Sequence, residues 1–203
     1  MLVRGPRERE GDWACQSFFD KLTPEAVQML QKVRFFTQMF WLERGDELNA
    51  LMAMPNFRPT ELTITIRYSD WWDWEDNAPL HMGTAWLTKF KGNPGLRKLR
   101  VEYETLSWKK DEMMQIIERN KQWGSLKVMG NSGEPDDIER YLDTRYTALN
   151  EWKWVGKSKL DGQRWDHHGP GETVEYGVVT DTWVFVEDYI GRGIETQSLW
   201  EES

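Results

Sequence analysis

Leu62, Ile64, Ile66 and Tyr68 are separated by Thr63, Thr65 and Arg67, so apolar and polar side chains fall on opposite faces of an extended chain. This spacing predicts a half-buried strand over 62–68. The same period places Leu99, Val101 and Tyr103 on one face with charged residues between them, and VRFFTQMF at 33–40 reads as an earlier strand. Between these runs the period becomes that of a helix. Leu48, Leu51 and Met52 form a stripe within Glu43–Met54 that Pro55 and Pro59 end. Leu80, Trp86, Leu87 and Phe90 form a second stripe within 80–91, which GNPG stops. Met113, Ile116 and Ile117 predict a helix over 109–122, with Gly124 at its end. LKVMG then reads as a short strand, 135–149 as a helix opening on acids, EWKWV as a strand, and 173–186 as one long or two paired strands.

Strand starts recur at intervals of roughly 25 to 35 residues, a range typical of strand–helix repeats. Crossovers of that length imply parallel neighbours. The expected fold is therefore α/β: a one-sided, leucine-rich-repeat-like strand–helix arc with a mainly parallel sheet and a β-richer C-terminal third. A doubly wound Rossmann-type sheet is the competing arrangement, but its strands would be apolar on both faces, and these alternate. A chain of 203 residues suits one domain, placed at 22–190. Segments 1–21 and 191–203 lack periodicity and are expected to be loosely attached ends.

Composition narrows the function classes. The net charge of -8 argues against nucleic acid as a partner, because phosphate affinity rests on Lys and Arg. No apolar run approaches the roughly 20 residues that span a bilayer, and MLVRGPRERE is charged where a signal peptide is apolar. Cys15 is the single cysteine, so no intrachain disulfide forms, as suits a reducing compartment. These features place the protein inside the cell, in the cytoplasm or nucleus.

Thirteen tryptophans are more than a soluble core of this size needs, and three of them crowd LTITIRYSDWWDWE. Strand alternation would set Trp72 and Trp74 on one face and Trp71 on the other, exposing at least one indole as a binding anchor. Alternatively the rings cap the sheet end and donate their N–H groups to Asp70, Asp73 or Glu75. These acids, with Asp76, could meet a divalent cation through their oxygens but match no calcium-loop spacing, and read first as solvated turn residues or N-caps of the next helix, one of them pairing with Arg67. The loop QRWDHHGPGE brings Trp165, Asp166, His167 and His168 together. Two adjacent imidazoles without a third ligand at usable spacing predict two solvated rings on a Gly- and Pro-rich surface loop rather than a metal site, even with His81 available. GNPG and HGPGE match no phosphate or dinucleotide loop, so no cofactor is expected. KSKLDGQR reads as a solvated basic loop. No nucleophile, base and acid set emerges, and Cys15 has no recognisable partner.

The segments PTELTITIRYSDWWDWEDNAPL, PGLRKLRVEYETLSWKKDEM and EWKWVG, in this order, resemble a family of uncharacterised filamentous-fungal proteins, some of which are similar to F-box proteins carrying degenerate leucine-rich repeats. The resemblance spans roughly residues 22 to 187. It implies an α/β repeat-like fold and an adaptor role, and brings no catalytic residues with it. Leu22-Thr23-Pro24-Glu25 echoes the opening of an F-box segment, but QKVRFFTQMFW turns strand-like too soon for three helices, as in a relative lacking the F-box.

The resulting expectation is a non-enzymatic intracellular interaction module, an adaptor or substrate-recognition scaffold. Its partner is another protein, met by a surface around Arg67, Asp70, Trp71, Trp72, Asp73, Trp74, Glu75, Trp165, His167 and His168. The rival expectation is a small enzyme or ligand-binding protein with a pocket between Trp71–Trp74 and Asp166–His168. Convergence of these two segments on one pocket favours the rival.

Overall fold

The computed structural model describes residues 2–4, 18–19, 21–128, 140–145, 147–160 and 163–186. Cys15, positions 135–139 of the helix expected over 135–149, and the 191–203 tail lie outside them. The protein is a mixed α/β fold around an open eight-stranded sheet. Its first half alternates strands and helices: β1 (Leu2–Arg4), α1 (Pro24–Gln28), β2 (Lys32–Phe36), α2 (Met39–Arg44), α3 (Asp46–Ala53), β3 (Glu61–Ile66), α4 (Ala85–Lys89), β4 (Lys98–Leu106) and α5 (Lys110–Gln122). The second half is β-rich, with β5 (Ser125–Val128), β6 (Arg140–Asp143), β7 (Asn150–Lys157), the small hairpin β8 (Lys159–Leu160) and β9 (Gln163–Arg164), and β10 (Thr173–Val186).

Strands β1 to β4 lie side by side in chain order and run parallel. The pairing of Leu62 with Leu99, Ile64 with Val101 and Ile66 with Tyr103 is the parallel register expected for these two segments. Beyond β4 the direction reverses. The fourteen-residue β10 runs antiparallel to β4 on one edge, and to β7 and then β6 on the other, while β5 pairs with β6.

Alternation assigns the two faces. Val33, Leu62 and Leu99 stand in one row across the sheet with Trp183, and Phe35, Ile64 and Val101 in the next; all are buried. Leu48, Leu51 and Met52 of α3, Trp86 and Leu87 of α4, and Met113, Ile116 and Ile117 of α5 belong to the same core cluster. Full burial of each such aliphatic side chain contributes about 1.5–3 kcal/mol. The other face carries polar rows. Glu61 pairs with Lys32 (3.3 Å) and Arg100 (3.1 Å), while Glu102 pairs with Arg34 (2.9 Å) and accepts the Thr65 hydroxyl (2.7 Å).

Four expectations are corrected. The segment 33–40 is strand only to Phe36, because Met39, Trp41 and Leu42 bury the inner side of α2. The helix expected within Glu43–Met54 is two helices jointed at Gly45 (φ +75°), where a Cβ would stand 2.8 Å from the Trp86 backbone. The helix expected over 135–149 is excluded by β6, whose Leu142 is fully buried between β5 and β10. The helix expected over 80–91 is confined to Ala85–Lys89.

Candidate functional site

Strand β3 ends at Ile66 because Arg67 turns the chain. The Arg67 backbone N–H and Nε both donate to the Asp70 carboxylate (3.0 and 3.2 Å), closing a 3₁₀ turn over Tyr68–Asp70. A second 3₁₀ turn, Trp74–Asp76, sits between Asp73 and Asn77, both left-handed (φ +50° and +53°). Strand alternation therefore stops before the tryptophans, and each indole goes its own way. Trp71 is buried in the main core and donates Nε1–H to the Glu104 carbonyl at 2.8 Å. Trp72, half-buried, donates to the Glu43 carboxylate at 2.8 Å and lies flat against His81. Trp74 is half-buried, its ring edge-on to Tyr68 (5.4 Å between centroids) and to Trp165 (4.9 Å). Asp73 and Glu75 are exposed. The indoles do cap the sheet end, but their acceptors are Glu43 and Glu104 rather than the neighbouring acids.

Trp74, Trp165, His167 and His168 gather around Tyr68, which packs with Leu106, Val174 and Tyr176 as a small cluster on the polar side of the sheet. The hydroxyl of Tyr68 touches His167 Nε2, His168 Nε2 (3.2 Å) and the Trp74 carbonyl (3.2 Å). His168 Nδ1 lies 2.5 Å from the Ser158 carbonyl and must donate to it. His167 Nε2–H donates to Tyr68, His168 Nδ1–H donates to Ser158, and the single Tyr68 O–H faces two acceptors at 3.2 Å, the Trp74 carbonyl and His168 Nε2. Tyr68 is buried, and so is His168, which corrects the expectation of two solvated imidazoles, because its ring packs against Tyr68; His167 is partly exposed. Burial pushes the Tyr68 phenol well above its ordinary range, with Tyr176 and Glu75 adding to the effect. Burial also lowers the His167 pKa, reinforced by His168 and Lys109 and opposed by Asp166. This network can hold or relay a proton, and it ties the Trp74 turn to the histidine loop by direct ring contact.

Glu104 joins this cluster to the sheet edge. Its half-buried carboxylate accepts Tyr68 N–H (3.2 Å) and Trp154 Nε1–H (3.1 Å); burial raises its pKa, those two bonds and Arg67 lower it, and Asp70 raises it. Trp154 stacks on Tyr176 (4.5 Å, 15° between planes) yet stays 38% exposed, beside Trp152 at 50% and Val155 at 65%. Strand β7 is exposed along nearly its whole length, and among the described residues only β10 pairs with it.

Two hollows lie elsewhere. One of about 590 Å³ is bordered by Glu43, His81, Met82, Glu112 and Arg119, and its rim is pinned by Gly83 N–H to Glu43 (2.6 Å) and Leu80 N–H to Glu112 (2.7 Å). The other, about 240 Å³, opens over Gly177 between Ser107, Lys110, Glu151 and Lys153. Among the described residues no group of three or more His, Cys, Asp or Glu could hold a metal ion.

Of the expected site residues, Trp74, Trp165, His167 and His168 come together. Arg67 and Asp70 are engaged in shaping the turn, and Trp71 and Trp72 are committed to packing. Sequence reading passed over Tyr68, Glu104, Trp152 and Trp154. The signal for the last two was available: in EWKWV, tryptophans at i and i+2 alternate with charge, the pattern of a strand lacking cover on one side. No helix among the described residues is long and apolar enough to cross a membrane. Comparison with protein-family models, with curated proteins and with solved structures found no match to this chain.

Proposed function

We propose that this chain is a non-enzymatic protein-interaction module of the cytoplasm or nucleus that takes up an extended polypeptide along the outer edge of β7. The observation that carries this reading is the exposure of Trp152, Trp154 and Val155 on a strand whose outer edge is unpaired among the described residues. An added strand would gain main-chain hydrogen bonds from that edge and side-chain contact from the two indoles. The in-order parallel strands β1 to β4, with helices against one face, support the finer picture of a leucine-rich-repeat-like arc and the adaptor role implied by the resembled family. The binding surface is thereby moved from Trp71–Trp74 to β7.

A photo-crosslinking side chain placed at Val155 tests this, with one at Met29, the 80% exposed C-cap of α1, as the control. Protein adducts at position 155 that exceed those at 29 and disappear with Trp152→Ala support the reading. Equal labelling at both positions overturns it.

A second reading, a ligand-binding or enzymatic site, is favoured by the meeting of the Trp74 turn and the histidine loop at Tyr68. Functional sites trade stability for activity, so under this reading Tyr68→Phe leaves stability unchanged or raised. A cluster that serves as a structural cap instead loses about 1–3 kcal/mol, because buried partners of the hydroxyl are stranded.

A further inference from the structure

We infer that the occupant of the β7 edge is a second copy of this chain, docked antiparallel about a two-fold axis at Trp154 so that two sheets join edge to edge. This inference rests on the reading of β7 as the interaction edge and names its partner. In an antiparallel pair, residues directly opposite share a face, so a two-fold axis through the sheet must centre on a residue of β7. Three centres are available in the middle of the strand. Centring on Lys153 sets that lysine against its own copy. Centring on Val155 sets Lys153 against Lys157 twice. Centring on Trp154 sets Glu151 against Lys157 twice, Lys153 against Val155 twice, Trp152 opposite Gly156 twice, and Trp154 beside Trp154. Of these three, only the Trp154 register opposes unlike charges without opposing like ones.

The side chains of β7 are disposed accordingly. Lysines on an edge strand ordinarily repel a second strand. Lys153, however, is drawn back to Glu175 at 2.8 Å, away from the edge. Lys157 has no carboxylate partner among the described residues, and the exposed Glu151 bonds Lys110 through only one of its oxygens. Trp154 leans inward onto Tyr176 and Gly156, which clears the main-chain edge, while Trp152 stands free. Exposed tryptophans and valine at the centre with an ion pair at either end have the layout of a small isologous interface, with an apolar middle and a polar rim.

Sedimentation equilibrium of the full chain over about 1 to 100 μM brackets the affinity that so small an interface supports. A monomer–dimer equilibrium is expected. Glu151→Lys and Lys157→Glu should each weaken it by about tenfold, since each turns two attractive pairs into repulsive ones. Mixing the two variants should restore the dimer, because each lysine then meets a glutamate. Lys157→Glu breaks no contact within one copy, so its effect does not depend on refolding, and circular dichroism checks both variants. A wild-type chain that stays monomeric, or a dimer indifferent to both swaps and to their mixture, overturns the inference. If the chain is monomeric while Val155 still cross-links to another protein, self-pairing alone falls. If Val155 yields no adduct either, the reading of β7 as an interaction edge falls with it.

Discussion

Trp154 donates its indole N–H to the Glu104 carboxylate at 3.1 Å, reaching from β7 across β10 to β4. A half-buried acid is thus held by the side chain of an edge strand.

Trp154→Phe keeps the stack on Tyr176 and removes only this donor. Because a bond to a charged group is worth more than one to a neutral group, a loss of about 1 kcal/mol is expected at neutral pH. Burial raises the Glu104 pKa, so the carboxyl is protonated earlier on acidification than an ordinary glutamate. Urea titrations of both proteins should show the penalty shrinking as pH falls through that raised value. A penalty constant with pH would mean that the indole acts through packing alone.

Asp181 lies on the helix-covered face at 1% exposure, accepting the Thr144 hydroxyl (2.7 Å) with Lys121 at 3.9 Å. Burial raises its pKa, opposed by Thr144, Lys121, Trp183 and the Thr182 backbone. Its protonated form is therefore favoured in the folded state, and its stabilising contribution is complete below the unfolded value of about 4 and lost as pH rises through the folded one. Chemical denaturation of the wild type should show that decline, and Asp181→Asn, which has no proton to lose, should lack it. Parallel pH profiles for the two proteins would contradict this.

Ile117 is fully buried in α5 against the sheet, and Ile117→Ala should cost about 2–5 kcal/mol in equilibrium unfolding. A cost under about 1 kcal/mol would show a site that collapses without leaving a cavity.

Gly45→Ala puts a side chain at φ +75° and against the Trp86 backbone. The left-handed conformation alone costs about 1–2 kcal/mol, and the close approach adds to it, so a fall in melting temperature is expected without loss of the cooperative transition. An unchanged melting temperature would show that the joint between α2 and α3 relaxes freely.

The elements legible in the sequence are those whose two faces meet different surroundings. In β3, β4 and α5 the apolar positions see the core and the polar ones see water or an opposite charge, so the period reports the structure directly. β6 offered no such signal. In Arg140–Asp143 only Leu142 is a large aliphatic residue, and the segment is a strand because β5 and β10 supply partners from elsewhere in the chain. The direction of β10 was equally hidden, since alternation is the same whichever way a strand runs. At the candidate site, the histidine loop and Trp74 were named together as one of two possibilities. What decided the fate of Trp71 and Trp72 was Glu104 and Glu43, acceptors about thirty residues away in the chain. Tyr68 was legible as an apolar position but not as the hub of a hydrogen-bonded chain, which forms only once the loop 165–168 folds back on it.

Strand β10 touches β4, β6 and β7, yet it is the last of these to be translated. At ordinary ribosomal speeds the nascent chain waits on the order of 10 s after β4 emerges before this strand is available. During that interval the edge of β4 has no neighbour, and the core lacks Val179 and Trp183. Chain termination anywhere before Thr173 would leave β6 and β7 without the strand that anchors both, so early-truncated products should be substrates for chaperones and proteases rather than smaller folded versions of the protein.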